Sequence, residues 1–254
     1  MSNKYSAKKR FGQNFLQDHS VIERIINAFV PKENDTIYEI GPGQAALSNH
    51  LVEYCNHVQL VEIDDDLVPA LKAQFVTKPN VTVLHQDALE LELTEPNCRI
   101  IGNLPYNVST PLLIRFLYQS ENISDMLFML QKEVVKRICA EVGTKAYGRL
   151  SVMLQYAFDC EELFIVKPES FHPQPKVDSQ IVRLVKKQEI PIVDLQKMES
   201  LVKQAFGQRR KTIKNNLKGI LTDDDFEKLA IDPKLRPESI TIEEYVNITN
   251  LISD

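Results

Sequence analysis

Glu39-Ile40-Gly41-Pro42-Gly43-Gln44-Ala45-Ala46-Leu47 lies between a short β-type run and a helical pattern. Glycines in such a turn let the backbone approach a ligand, because no Cβ stands in the way. A tight strand-to-helix turn reads the same way, so the loop alone decides little. Three further residues narrow the choice. Glu62 ends the next strand, about 20 residues on, where a carboxylate accepts hydrogen bonds from ribose hydroxyls. Asp87 follows the third strand and Asn103 the fourth. All lie at carboxyl ends of successive strands, where open α/β sheets bind ligands. The loop is not the Gly-x-Gly-x-x-Gly of dinucleotide sites. Glu39, just before the first glycine, opposes a pyrophosphate and suits the sulfonium and ammonium of S-adenosylmethionine, the expected cofactor.

Asn103-Leu104-Pro105-Tyr106 follows the fourth strand. It could be a plain strand-end turn, but its residue types suit amine chemistry. Asn103 can accept from an adenine N6–H through its side-chain oxygen. The Leu104 carbonyl, stiffened by Pro105, can accept the second N6–H. Tyr106 offers a flat face to a base taken out of its stack. With both hydrogens held, the amine is aimed at a methyl donor, and catalysis is mostly positioning.

The elements that must place these groups alternate. Val21, Ile22, Ile25, Ile26 and Phe29 share a helical face over 18–30, with Asp18 as N-cap. Strands are expected at Thr36–Ile40, Val58–Ile63, Val81–Leu84, Arg99–Gly102 and Asp125–Leu130. Helices are expected at Ala45–Tyr54, Asp65–Phe75, Thr110–Gln119 and from about Lys132. Such alternation implies a parallel sheet. Leu150–Phe158 reads as a helix, and Glu162–Lys167 and Ser179–Lys187 as closing strands. Beyond Asp194 only helices are expected, at Met198–Phe206, Thr212–Leu221, Asp224–Leu229 and Ile242–Ile252. The boundary falls at Lys186–Pro191 and gives domains 1–188 and 189–254.

The 254 residues suit one catalytic domain and a small appendage. No run of 18 uncharged apolar residues is present, and no apolar stretch follows the basic start, so a cytoplasmic protein is expected. Cys55, Cys98, Cys139 and Cys160 have no metal-ligand spacing, and the five histidines form no metal motif, so no metal is expected.

Lys8-Lys9-Arg10-Phe11-Gly12-Gln13-Asn14-Phe15-Leu16, Glu39-Ile-Gly-Pro-Gly43, Val61-Glu62-Ile63-Asp64, Gln86-Asp87-Ala88, Asn103-Leu-Pro-Tyr106 and Phe171-His-Pro-Gln-Pro-Lys-Val-Asp-Ser179 occur in that order. In this the chain resembles the small-subunit ribosomal RNA adenine N6,N6-dimethyltransferase family over nearly its whole length. The resemblance implies a Rossmann-like class I methyltransferase sheet with a small all-helical C-terminal domain. It implies dimethylation of two adjacent adenosines near the 3′ end of small-subunit rRNA, with four S-adenosylmethionines used per RNA, and a checkpoint late in subunit assembly. Asn14, Leu16, Gly41, Glu62, Asp87 and Asn103 match cofactor positions. Asn103, Leu104, Pro105 and Tyr106 match the adenine-binding segment, and Phe171 matches an aromatic that flanks the base opposite Tyr106. The family's third loop glycine is Ala45 here, whose methyl group calls for a negative φ.

The formal net charge of −5 argues mildly against a nucleic-acid partner. Its distribution argues the other way. Residues 1–17 hold Lys4, Lys8, Lys9 and Arg10 and no acid. Residues 203–218 hold Lys203, Arg209, Arg210, Lys211, Lys214 and Lys218 and no acid, leaving 20 basic against 35 acidic residues elsewhere. A solvated face is the plain reading of such a run. Interleaved Asn, Gln and Thr favour phosphate contact with rRNA instead. The second segment is expected to open a helix. The loop 141–149, with two glycines, is expected to be mobile near the target. A monomer is expected. Two other functions share the main motifs: a large-subunit rRNA adenine methyltransferase of the resistance type, and a non-catalytic RNA-binding factor. Phe171–Ser179 and the C-terminal region disfavour the first, and intact Asn103–Tyr106 and Glu62 disfavour the second.

Overall fold

The computed structural model describes residues 13–253. Lys4, Lys8, Lys9 and Arg10 lie outside the described residues. In chain order the elements are β1 (Phe15–Leu16), α1 (His19–Phe29), β2 (Thr36–Ile40), α2 (Ser48–Tyr54), β3 (His57–Glu62), α3 (Val68–Gln74), β4 (Val81–His85), β5 (Cys98–Asn103), α4 (Ser109–Leu117), β6 (Ile123–Gln131) and α5 (Lys132–Ile138). There follow α6 (Arg149–Ala157), β7 (Phe158–Val166), β8 (Phe171–His172), β9 (Ser179–Lys186), α7 (Leu195–Ala205), α8 (Ile213–Asn216), α9 (Asp223–Lys228) and α10 (Ile242–Leu251).

Seven strands form one sheet in the order β4-β3-β2-β5-β6-β9-β7. β2 to β6 run parallel, and β9 returns antiparallel to β6. From β2 the chain builds outward through β3 and β4, and from β5 it builds the other way through β6. The order therefore reverses between β2 and β5, and a crevice opens at their carboxyl ends. Beneath it, Ile37, Leu60, Ile101 and Leu127 pack with the apolar face of α1 in one buried cluster. That face is Val21, Ile22, Ile25, Ile26 and Phe29, and Asp18 caps the helix by accepting from the Ser20 and Val21 amides.

At the other end of the strands Arg99 fastens β5. It pairs with Asp125 of β6 at 2.6 Å and with Asp35 at 2.7 Å, and its guanidinium lies 4.2 Å from the Phe29 ring centroid. β1 and β8 form a separate antiparallel pair, with Phe15 opposite His172 and Leu16 opposite Phe171.

The chain divides into two compact units. One contains the chain up to Val135 together with Glu161–Lys186; the other contains Lys136–Cys160 and everything from Lys187 onward. A single boundary at 188/189 misses residues 136–160. These join the helical unit because α6 packs on α7 and α10, and the buried Tyr147 ring meets Phe206, which in turn meets Tyr245. Within that unit the helix expected over Thr212–Leu221 shrinks to Ile213–Asn216, since Gly219 turns the chain at φ +85°. The basic run thus lies on a turn between Gln208 and α8, rather than opening a longer helix.

Candidate active site

The glycine loop departs from expectation at one residue. Gly41, Gly43 and Ala45 all have positive φ, at 64°, 57° and 63°. The negative φ expected for Ala45 is therefore wrong: the turn keeps its left-handed geometry with alanine in place. Such a conformation costs an L-residue roughly 1–2 kcal/mol. Ala45 is fully buried in the core cluster, which contributes against that cost. The same conformation delays the helix, so α2 starts at Ser48 and not at Ala45. Gly43 has a further constraint: a Cβ there would sit 3.0 Å from the Phe15 ring.

Glu62, at the end of β3, is 4% exposed. One of its oxygens accepts the Gly43 amide at 3.1 Å; the other accepts the amides of Ile63 and Asp64 at 3.0 and 2.9 Å. It therefore clips the loop to the neighbouring strand. Burial raises its pKa, and the backbone donors at Asp64 and Gly43 pull the other way. Glu39 is buried at the end of β2 and accepts from the Ser48 hydroxyl at 2.6 Å. Burial pushes its carboxyl up to about 7, against the Ser48 hydrogen bond. Asp87 caps the turn after β4 by accepting the Leu89 amide at 2.9 Å.

Asn103, the last residue of β5, donates from Nδ2 to the Asn14 carbonyl at 2.8 Å. The next peptide is held by the Leu104 amide, which donates to the Met129 carbonyl at 3.2 Å. The Tyr106 hydroxyl shares a 2.7 Å hydrogen bond with Ser179 Oγ, and burial raises the phenol pKa. That bond joins the Asn-Leu-Pro-Tyr turn to the last residue of the Phe171–Ser179 motif.

These groups line one cavity at the reversal point of the sheet. Its walls include Asn14, Leu16, Gly41, Glu62, Asp87 and Asn103, and the Leu104–Tyr106 turn continues the same wall. Phe171 is not among the lining residues. It is 3% exposed and sits in the core cluster beside Leu16, its cross-strand partner in the β1–β8 pair. Pairing with β1 holds Phe171 against the core cluster. Sequence reasoning missed Gln13, Ser48 and Ser179, which touch Asp64, Glu39 and Tyr106. Gln13 was legible as a neighbour of Asn14. Ser179 is a small polar residue whose partner lies far off in sequence, and Ser48 is one whose pairing with Glu39 depends on how the glycine loop turns between them.

The residues present fit S-adenosylmethionine. Two buried carboxylates face a loop whose glycines admit a close ligand, a combination that favours a cation over a pyrophosphate. Among the described residues no cluster of metal-ligating side chains is found, and no helix is long and apolar enough to cross a membrane.

In the helical unit the basic side chains separate into two kinds. Arg209 donates to the Lys145 and Tyr147 carbonyls at 3.0 and 2.8 Å and stands over the Phe206 ring. Lys214 pairs with Asp223 at 2.6 Å. Arg210 and Lys211 are exposed, and neither side chain makes an ion pair among the described residues. The loop 141–149 is tied down within this unit. The Gly143 amide donates to the Glu238 carbonyl at 2.7 Å, Arg209 holds two carbonyls, and Tyr147 is fully buried. The expected mobility is not supported by these contacts.

The family model described as ribosomal RNA adenine dimethylase matches residues 4–254. A ribosomal RNA small subunit methyltransferase A of Marinomonas sp. (strain MWYL1) is 48% identical over 258 residues, covering 99% of this chain and 97% of the relative. The protein of that name from Legionella pneumophila (strain Lens) is 49% identical over 255 residues, covering 99% and 100%. Among solved structures, a dimethyladenosine transferase from Plasmodium falciparum superposes with a TM-score of 0.84 at 22% identity, over 94% of this chain and 97% of that one. The 23S rRNA methyltransferase ErmE gives 0.73 at 24%, over 95% and 100%. At those identities the two structures speak to the fold alone: a class I methyltransferase sheet with a helical C-terminal region. With a family model matching almost every residue and relatives near half identity end to end, the chain belongs to the ribosomal RNA adenine dimethylase family.

Proposed function

We propose that this protein dimethylates the N6 amines of two adjacent adenosines near the 3′ end of small-subunit rRNA, within an assembling small ribosomal subunit. The observation that carries the reading is the continuity of one cavity wall, from the glycine loop and Glu62 to Asn103–Tyr106. Cofactor and amine positions then lie along one surface. The relatives at 48–49% identity, both named for the small subunit, support the choice of RNA.

S-adenosylmethionine, when bound, supplies an electrophilic methyl group. The chain's own residues do the rest by placement. Glu62 and Asp87 stand at the strand ends where ribose and base are held in such sheets. Glu39 gives the loop a buried carboxyl that complements positive charge. Asn103 Oδ1 and the Leu104 carbonyl accept the two N6 hydrogens. Tyr106, held by Ser179, stacks on the extruded adenine. Phe171 serves this site from the core, through the β1–β8 pair that carries Leu16.

The helical unit, with residues 189–254 as its larger part, is the proposed rRNA-binding domain. Arg210 and Lys211 supply exposed charge there, and Lys8, Lys9 and Arg10 add basic residues to the sequence near the N-terminus. Arg209 and Lys214 act differently, by holding their own unit together. A cytoplasmic monomer acting late in small-subunit assembly fits this reading.

The test offers labelled S-adenosylmethionine and either under-methylated small or large ribosomal subunits. Label in small-subunit RNA alone is expected. Label only in the large subunit selects the resistance-type activity, and no label in either selects a non-catalytic factor.

A further inference from the structure

We infer that Gln13 and Asp64 are a positioning pair that aims the Asn103 amide, and so reserves the polar end of the cavity for an amino group. The inference rests on the reading of Asn103 as acceptor for the adenine amine.

Asn103 Nδ2 donates to the Asn14 main-chain carbonyl. A carbonyl oxygen only accepts. Turning the amide over would set two oxygens against each other, so the orientation is fixed. Oδ1 is thereby the atom that Asn103 offers as acceptor. An exocyclic amine matches it, and an exocyclic carbonyl meets a like oxygen.

The Asn14 carbonyl is in turn held from both sides. Downstream, Phe15 and Leu16 pair with β8, and the Gln17 amide donates to the Ser170 carbonyl at 2.9 Å. Upstream, Gln13 Nε2 donates to Asp64 Oδ2 at 2.8 Å. Asp64 is fully buried, its other oxygen accepts the Asp66 amide at 3.1 Å, and its own amide donates to Glu62. Hydrogen bonds therefore run from Glu62 through Asp64 and Gln13 to the segment that orients Asn103. Gln13 is a link between this segment and the end of β3.

The atom assignment allows a reciprocal exchange. Gln13→Glu places a carboxylate against Asp64 and breaks the link. Asp64→Asn keeps Oδ1 for the Asp66 amide and puts a donor at the Oδ2 position, toward which Gln13 can turn its own amide oxygen. The double variant rebuilds the bond with donor and acceptor exchanged. Turnover on under-methylated small subunits, KM for S-adenosylmethionine and thermal melting are measured for all three. Gln13→Glu is expected to lose about tenfold or more in kcat, with KM within about threefold. Asp64→Asn and the double variant are expected within about threefold of the parent in kcat. If Gln13→Glu melts early, Gln13→Leu removes the donor without adding charge and carries the same expectation of lost kcat. Parental kcat in the Gln13 variants, a loss carried by KM alone, or a double variant no better than Gln13→Glu overturns the pair. Asn103→Ala runs alongside. If it is inactive, those outcomes bear on the pair alone; if it turns over normally, the reading of Asn103 falls and the inference with it.

Discussion

In the proposed mechanism Asn103 meets the amine and Glu39 the cofactor's positive charge, and each makes a separate prediction. Asn103→Ala removes one of two acceptors for the amine and leaves the glycine loop and Glu62 intact. Methyl transfer is expected to fall by roughly 10²–10³-fold while cofactor affinity falls much less. Single-turnover kinetics and calorimetry of cofactor binding separate the two quantities. Glu39 is an acid at odds with its burial. Its folded pKa, about 7, lies above the ordinary 4.5, so the folded state holds the proton more tightly than the unfolded one. Stability from this group is therefore full below about 4.5, falls as pH rises to about 7, and stays low above. The difference is on the order of 3 kcal/mol. Glu39→Gln keeps an acceptor for Ser48 and removes the charge. Melting curves across pH should flatten and the variant should be the more stable at pH 8, while calorimetry should show cofactor binding weakened at least about tenfold. Cofactor affinity equal to the parent's contradicts the role given to this carboxyl.

The loop and strand ends act as elements, and Gly102 shows how tightly they meet. A Cβ at Gly102 would lie 2.6 Å from the Ile40 carbonyl oxygen, which is backbone and cannot swing away. Gly102→Ala must push the end of β5 off β2. It is expected to cost about 1–3 kcal/mol by chemical denaturation and to lower turnover by displacing Asn103. Arg209 has a comparable structural part in the helical unit. Arg209→Met removes two donors from the carbonyls of Lys145 and Tyr147, and proteolysis should open the 141–149 loop first. Resistance equal to the parent's contradicts that part.

The strands were legible in the sequence to within two residues at most ends, because buried parallel strands are continuous apolar runs. Gly41, Glu62, Asp87 and Asn103 were legible as cavity positions, since the topology sends strand ends to one place, whereas Asn14 and Leu16 came from the resemblance alone. The misread features depended on tertiary contacts. Ala45 takes φ +63° because its loop is clipped by Glu62, a residue on another strand. The 141–149 loop looked mobile because the carbonyl clamp that holds it comes from Arg209, distant in sequence.

For the whole molecule, net charge says less than its placement. The chain totals −5, yet residues 203–218 contain six bases and no acid. Only part of that charge is available to a partner, because Arg209 and Lys214 are engaged within their unit. Charge reversal of Arg210 and Lys211 is therefore expected to weaken binding to small subunits and reduce its salt dependence, by roughly 0.7–0.9 in log–log slope per lost phosphate contact. Binding titrated from low to high salt measures this, and an unchanged slope rejects the placement. The acidic remainder disfavours loose binding to RNA at large.

In the proposed function one cavity brings a methyl donor to an adenine amine twice over on each of two adenosines. Under-methylated small subunits incubated with excess S-adenosylmethionine, then digested to nucleosides and quantified by mass spectrometry, test it most directly. N6,N6-dimethyladenosine is expected at two residues per small-subunit RNA, formed roughly 10²–10³-fold more slowly with Asn103→Ala. Methyl groups on another base, or a product that stops at monomethyladenosine, contradict it.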